Sequence, residues 1–271
     1  MSGFSVLLPV YAGDRAPFLA QALESVTTAQ TRTPDQVVII VDGPVGADIE
    51  AVLAARDDID VVRLSDNRGL TDALNEGLRH CRYDIVARQD ADDISAPDRF
   101  AVQIPLAASG IDLVGSDIVE FDAAGEGPVR SLPVAEADIV RALPLRDPFA
   151  HPAVVYSRAA VAAVGGYDGP AGMEDYWLFA RMVAAGCSCV NVPRPLVSYR
   201  VDAGAYARRG GWDLFVTECR LQVRLYNLGV TGGLTMARNI VVRGLYRFVP
   251  PSLRRCLYRG VGLNYLFRRA S

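Results

Sequence analysis

Residues 84–93 read DIVARQDADD. An apolar run of the kind that makes a buried strand ends in Asp90, Asp92 and Asp93, with Arg88 just before them. Unpaired charge is costly to bury, so a strand end of this composition must face something that takes the charge up. The run is the fourth of its kind. FSVLLPV (4–10), QVVIIVD (36–42) and DVVRLS (60–65) are β-branched runs of strand length. Between and after the four runs lie amphipathic stretches: RAPFLAQALESVTTA (15–29), GADIEAVLAAR (46–56), LTDALNEGLRHC (70–81) and APDRFAVQIPLAAS (96–109). Asp14 is placed to cap the first of these helices, with Pro17 in its first turn, and Asp93 to cap the last. Four β-α units in series predict an α/β fold, a mainly parallel sheet with helices on both faces.

Past residue 110 the rhythm changes. IDLVGSDIVEFDAAGEGPVRSLPV (111–134) reads as a strand, a glycine-containing turn and an extended segment. ADIVRALPL (137–145) is a short helix, PAVVYS (152–157) a strand, and RAAVAAVGG (158–166) a helix ended by glycine. EDYWLFARMVAAG (174–186) is a helix stopped at Gly186. SCVNV and PLVSYRV are two short strands, and three or four helices broken at GVTGG and VPPS follow from Gly211.

The chain has 271 residues, of which 51% are hydrophobic and 22% charged. That suits one large α/β domain with an appendage, or two small domains. The net charge of −3 hides an asymmetry. Residues 1–218 set 31 acids against 18 arginines, a balance of −13, while residues 219–271 hold 10 arginines and no acid. There is no lysine, which excludes Schiff-base chemistry and a P-loop lysine. The five cysteines, Cys81, Cys187, Cys189, Cys219 and Cys256, have no metal-ligand spacing and read as reduced thiols of a cytosolic protein. The N-terminal apolar run is too short for a signal peptide or a membrane span, and no longer run follows.

Ligands of open α/β sheets bind beyond the carboxyl ends of the strands. Here those ends carry Pro9-Val10-Tyr11, Asp42-Gly43-Pro44, Asp66-Asn67-Arg68-Gly69 and Gln89-Asp90-Ala91-Asp92-Asp93. Any one of these could be a cap or an Asx turn, but four in succession argue for one ligand touching all. Asp90 and Asp92 suit a divalent cation, Mn2+ or Mg2+, that shares its remaining positions with water and phosphate oxygens. No G-x-G-x-x-G or G-x-x-x-x-G-K-[ST] is present, which argues against a dinucleotide fold and a P-loop. A sugar-nucleotide nucleotidyltransferase would need a glycine-rich N-terminal loop and lysines. A glycoside hydrolase would leave the D-x-D pair without a purpose. A non-catalytic nucleotide-sugar-binding protein differs from a transferase only in turnover. At the other end of the chain, GMEDYW puts Glu174 and Asp175 at a helix start. One carboxylate there stabilises the helix dipole, by about 0.3–1 kcal/mol, and the second is left to explain.

SVLLPVY, VIIVDGP, NRGLTDALNEGL, ARQDADDISAPDRFAVQ, HPAVVYSR, GGYD, EDYWLFARM and LVSYR occur in the order seen in glycosyltransferase family 2, the inverting GT-A enzymes. The chain resembles that family from about residue 4 to residue 202. It resembles in particular the exopolysaccharide branch with the amylovoran biosynthesis enzymes, where YARRGGWDLF and the basic tail are similar too.

The resemblance implies a GT-A catalytic domain over residues 1–210, with a nucleotide-binding half to about 95 and an acceptor half from about 96. A basic helical segment fills 211–271. It implies that Pro9 and Tyr11 line the nucleotide pocket and that Asp42 bonds the base or ribose. Asn67 and Arg68 would lie near the base or diphosphate. Asp90 and Asp92 would form the metal site, with Asp92 the direct ligand, and Asp175 would be the base. Glu174 would touch the acceptor, and His151 reads either as structural or as an acceptor or diphosphate contact. Where many members carry a histidine after YR, this chain reads YRVDAGAY. Asp202 stands near the expected place, and Arg200 or Arg208 could neutralise the diphosphate instead.

The implied donor is a nucleotide-diphosphate sugar, a UDP-hexose, and the acceptor a saccharide on polyprenyl diphosphate. Arginines alternate with Leu, Val, Tyr and Phe over residues 236–271. The pattern suits helices lying on an anionic membrane surface, with packing on the acidic domain as the rival reading and nucleic acid a distant third. The implied location is the cytoplasmic face of the plasma membrane, held peripherally.

Overall fold

The computed structural model describes residues 2–201 and 211–248. Their elements run in chain order. The first half holds β1 (Phe4–Tyr11), α1 (Ala16–Val26), β2 (Gln36–Asp42), α2 (Ala47–Ala54), β3 (Asp60–Arg63), α3 (Leu70–His80), β4 (Ile85–Arg88), β5 (Ile94–Ser95) and α4 (Arg99–Ala108). The second holds β6 (Leu113–Asp122), β7 (Gly125–Arg130), α5 (Glu136–Ala142), β8 (Val155–Ser157), α6 (Arg158–Ala163), α7 (Glu174–Ala184), β9 (Cys189–Arg200), α8 (Trp212–Asn227) and α9 (Gly233–Phe248).

The strands form one sheet in the order β3-β2-β1-β4-β8-β6-β9-β5, with β7 paired to β6. The repeated half is parallel throughout: β1 pairs β2 and β4, and β2 pairs β3. This places the carboxyl ends of four strands on one edge. Residues along β1 alternate between two cores. Val6, Leu8 and Val10 pack with Leu19 and Leu23 of α1 and Ile49 of α2, while Leu7 packs with Leu74 and Leu78 of α3. All of these are nearly or fully buried, as a strand covered on both faces requires.

The second half mixes directions. β8 runs antiparallel to β4 and β6, and β9 runs parallel to β6 and antiparallel to β5. The two short strands expected from SCVNV and PLVSYRV are one, β9, of 12 residues. Pro193 and Pro195 cannot donate to a ladder, and the sequence reading broke the strand there. The strand instead carries on through register shifts on either side of Asp117, where β6 pairs with Val192 and then with Pro195.

Two expected helix caps are absent. The residue flanking α1 is Arg15, with no side-chain cap, and Asp14 instead accepts the Tyr11 N–H at 2.9 Å. Asp98 flanks α4, also without a side-chain cap, so Asp93 does not cap that helix. Both carboxylates turn toward the acidic group at the end of β4.

α8 and α9 pack against the end of the sheet domain. Leu221 and Leu225 of α8 share a cluster with Leu143, Met173, Tyr176, Trp177 and Ala180. No described helix is long and apolar enough to cross a membrane. The described cysteines, Cys81, Cys187, Cys189 and Cys219, are free thiols, while Cys256 lies outside the described residues.

Candidate active site

The loops after β1, β2, β3 and β4 meet at the carboxyl edge of the parallel half. Gly43 has a φ of +83°, and a Cβ there would lie 2.5 Å from the Asn67 backbone nitrogen. The turn after β2 and the loop before α3 therefore touch. Asp42 fixes them: its Oδ1 accepts the Arg68 N–H at 2.7 Å and its Oδ2 the Gly69 N–H at 2.8 Å, while Asn67 Nδ2 donates to the Asp42 carbonyl at 3.2 Å. Asp42 is buried, and its side chain builds the floor of this corner. Arg68 stands exposed above it, Pro9 is buried within β1, and Tyr11 at the strand's end is half exposed.

Beyond β4, carboxylate oxygens of Asp90, Asp92 and Asp93 all lie within 4.8 Å of one another. Asp93 is fully buried. One of its oxygens accepts the Arg200 N–H of β9 at 2.8 Å, and the other has no hydrogen-bond partner among the described residues. Asp14 faces the same group from the loop after β1. Loss of solvation in the cleft, reinforced by Asp92 and Asp90, pushes the Asp14 carboxyl up to about 7. Desolvation and Asp90 push Asp92 up to about 6, and burial, then Asp90 and Asp92, hold Asp93 well above the usual carboxylate range. Crowded carboxyls that hold protons near neutrality, all offering hard oxygen atoms, fit a divalent cation of the Mg2+ or Mn2+ type.

Two arginines shape this cluster. Arg88 is 1% exposed and ion-paired with Asp90. Burial opposes its charge and Asp90 outweighs that, so the guanidinium stays charged. Arg200 stacks between Phe18 and Phe121, 3.8 and 4.4 Å from the ring centres. Its Nε donates to the Asp92 carbonyl at 2.7 Å and its Nη2 to Gln21 at 2.9 Å. Arg200 thus holds the acidic loop between β9 and α1. Asp202 and Arg208 lie outside the described residues.

Arg99, read from sequence only as part of a helix start, is the internal brace. It is fully buried and donates to Gln103, Gln89, Ser95 and the carbonyls of Arg88 and Val154 at 2.8–3.3 Å. Five bonds satisfy its five N–H groups and lock the root of the acidic loop to α4.

A second carboxylate group stands at the start of α7. Glu174 turns back, its Oε2 accepting the N–H groups of Gly172 at 2.5 Å and Met173 at 3.1 Å. It is buried and serves its own helix start. Asp175 is half-buried, with Oδ1 accepting the Tyr176 N–H at 2.7 Å. Burial, then the charge of Glu174, push its carboxyl up to about 6. That value suits a group that takes a proton near neutral pH.

The loop before α7 is clamped by α3. Asn75 accepts the Tyr167 N–H at 2.8 Å and donates to the Tyr167 carbonyl at 2.7 Å. Gly166 has a φ of +73°, and a Cβ there would press within 2.7 Å of the Asn75 oxygen. NEGL and GGYD, far apart in sequence, are therefore one clamp. His151 Nε2 lies 2.9 Å from the Tyr167 hydroxyl, and burial together with Arg88 holds the imidazole neutral, well below its usual range.

Asp147 was missed by sequence reasoning, although an Asp-Pro pair four residues before His151 marked a turn. Its Oδ1 accepts the Phe149 N–H at 3.0 Å, and burial and then Asp175 push its carboxyl well up.

Known proteins share this architecture. The profile of glycosyl transferase family 2 matches residues 5–161. An uncharacterized glycosyltransferase of Haemophilus influenzae is 38% identical, covering 94% of this chain and 97% of its own. The amylovoran biosynthesis glycosyltransferase AmsE of Erwinia amylovora is 33% identical, with coverage of 94% and 97%. An Escherichia coli UDP-Gal:alpha-D-GlcNAc-diphosphoundecaprenol beta-1,3-galactosyltransferase is 32% identical, with coverage of 97% and 98%. Among solved structures, the mannosyltransferase PcManGT of Pyrobaculum calidifontis, in complex with GDP-Man and Mn2+, superposes with a TM-score of 0.61 at 17% identity, covering 98% of this chain and 81% of its own. S. aureus TarS residues 1–349, in complex with UDP-GlcNAc, gives a TM-score of 0.63 at 17% identity, with coverage of 97% and 77%. The chain thus belongs to glycosyltransferase family 2 and has the GT-A fold.

Proposed function

We propose that the protein moves a hexose from a UDP-sugar to a hydroxyl of a lipid-linked saccharide, with inversion at the transferred carbon, in cell-surface polysaccharide synthesis. The observation that carries the reading is Arg88. This one buried guanidinium is paired with Asp90 and also acts on Asp175 and His151, so one buried charge serves both carboxylate groups.

In this reading Asp92 and Asp90 would hold Mn2+ or Mg2+. A cation bound there would supply positive charge to offset the donor diphosphate and stabilise it as a leaving group. Tyr11, Arg68 and Asn67 border the nucleotide, with Asp42 as the brace beneath them. Asp175 accepts the proton of the acceptor hydroxyl. The acceptor oxygen bonds to the anomeric carbon from the face opposite the diphosphate, and the carbon–oxygen bond to phosphate breaks, leaving its electron pair on UDP. Attack from the opposite face inverts the centre. Neutral His151, hydrogen-bonded to Tyr167, lines the acceptor side, and Glu174 supports the base through the helix start.

The relatives supply the substrate classes. One is named for galactosyl transfer from UDP-Gal to a GlcNAc-diphosphoundecaprenol, another for amylovoran synthesis. A lipid-linked acceptor would bring the enzyme to the membrane. Arg224 and Arg243 pair with Asp168 and Glu218, and the five arginines of residues 249–271, in a stretch without Asp or Glu, suit peripheral binding there. The stretch 249–271 lies outside the described residues.

A thermal-shift screen of UDP-, GDP- and dTDP-sugars with Mn2+ tests the donor. A donor at 100 times its Kd stabilises by about 2.7 kcal/mol. Transfer from UDP-galactose to GlcNAc-diphosphoundecaprenol then tests the acceptor class. Metal-dependent binding without transfer to any lipid-linked saccharide would favour a nucleotide-sugar-binding protein instead. For the membrane, deleting residues 249–271 is expected to release the protein from phosphatidylglycerol vesicles at low salt. Equal sedimentation of both forms would overturn that part.

A further inference from the structure

The loop between α5 and the turn at His151 is held by side chains from three separate elements. Its backbone carbonyls at Leu143, Pro144, Leu145 and Pro148 accept, in turn, Tyr176 Oη of α7 at 2.5 Å, Asn239 Nδ2 of α9 at 2.8 Å, Arg243 Nη1 of α9 at 3.3 Å and Asn191 Nδ2 of β9 at 3.0 Å. Two of these four clamps come from α9. They are backed by a buried polar chain between the last two helices. Arg243 Nε is 2.8 Å from Glu218 Oε1, Gln222 Nε2 donates to the same oxygen at 3.0 Å, and Asn239 Nδ2 donates to Gln222 Oε1 at 2.9 Å. Glu218 and Gln222 are fully buried and Asn239 nearly so.

A buried, mutually satisfied polar network contributes less to stability than an apolar core of the same shape. What it fixes is geometry. The geometry fixed here is that of Asp147. This residue lies within the clamped loop, which Tyr176, the neighbour of Asp175 on α7, also holds through the Leu143 carbonyl, and Asp175, Arg243 and Arg146 all act on its carboxyl. Asp175 in turn faces Glu174 and Arg88. We propose that α8 and α9 are part of the transfer site: through Arg243 and Asn239 they clamp the 143–149 loop and set Asp147, a positioning residue, against Asp175. The proposal rests on Asp175 being the base. It makes the C-terminal helices a wall of the acceptor side. Packing geometry there reaches the base through one loop, while the donor corner at Asp42 and Asp92 is built by other elements.

The test uses the full chain with Asn239→Ala, Arg243→Gln, Arg243→Lys and Asp147→Asn. UDP affinity with Mn2+, transfer from UDP-galactose to GlcNAc-diphosphoundecaprenol, and hydrogen–deuterium exchange are measured for each. If the parent protein does not use that acceptor, its slow release of UDP with water as acceptor replaces transfer; that result counts against the substrate reading and leaves the clamp measurable.

Expected for Asn239→Ala and Arg243→Gln is a kcat loss of about tenfold, with UDP Kd within twofold and faster exchange in residues 143–151 while 84–93 is unchanged. Arg243→Lys recovers part of kcat. Asp147→Asn lowers kcat similarly without loosening the loop. Unchanged kcat in Asn239→Ala and Asp147→Asn would overturn the proposal. So would a UDP affinity that falls in step with kcat, or exchange that rises across the whole chain, because either means general destabilisation. Should Arg243→Gln fail to fold, Asn239→Ala and Asp147→Asn carry the decision alone.

Discussion

The molecule has two carboxylate groups around the buried Arg88, and they are built differently. At the end of β4, Asp90, Asp92 and Asp93 crowd within 4.8 Å with Asp14 close by. Asp14 and Asp93 each accept one backbone N–H and Asp90 pairs with Arg88, so the donors do not offset the crowding. At the start of α7, Glu174 is satisfied by two backbone N–H groups and Asp175 by one. Crowding leaves several charges for an outside partner to neutralise, which is a cation's task. Capping settles one carboxylate and leaves a single neighbour raised to about 6, which is a proton's task. The residue types are similar, and the number of carboxylates crowded together separates their chemistry.

The sharpest way to break this contrast is Asp175→Asn. Removing a general base costs about 10²–10⁴-fold, so transfer should fall on the order of 1000-fold while UDP binding with Mn2+ stays within twofold. Donor affinity falling as far as the rate would make Asp175 a donor-site residue.

Asp92→Asn should do the reverse. Losing even an indirect partner of a metal costs 10–100-fold, so a direct ligand should weaken Mn2+-dependent UDP binding by about 100-fold. Calorimetry with and without Mn2+ reads this, and full activity in the variant would refute the metal assignment.

The pH profile separates the groups without mutation. A base raised to about 6 must be ionised to act, so kcat should be flat above about pH 7 and fall about tenfold per unit below 6. At saturating Mn2+ the cation offsets the desolvation and the Asp90 repulsion that raise Asp92, so that group's titration should move to lower pH, while the limb from Asp175 stays. A limb that shifts with Mn2+ concentration would tie it to the acidic cluster instead.

The smallest effect is expected at Glu174→Gln. The amide oxygen still accepts from Gly172 and Met173, but a charge-assisted pair becomes neutral, at a cost of about 1 kcal/mol in stability. The melting temperature should drop by a few degrees and kcat by less than tenfold. A loss as large as that of Asp175→Asn would make Glu174 the base.

The strands and helices of the first 110 residues were legible because each depends on its own periodicity, except the two-residue β5, which exists only through its pairing with distant β9. β2 spans Gln36–Asp42 as its apolar run implies. The D-x-D pair was legible for a related reason: a strand end places neighbouring carboxylates together by local geometry alone. Asp14 and Asp93 were misread as helix caps. An aspartate before a helix has the same sequence pattern whether it bonds its own helix or turns toward a cluster, and burial decides between them. β9 was misread as two strands because its prolines are local breakers, while the pairing with β6 that carries it through lies some 75 residues away. Short-range pattern was enough for the parallel half, the acidic strand end and the helix start at Glu174 and Asp175. It took the folded chain to bring Asn75 onto Tyr167 and α9 onto the 143–149 loop. Those are contacts between distant segments, and their energies depend on burial and donor geometry that no short stretch of sequence encodes.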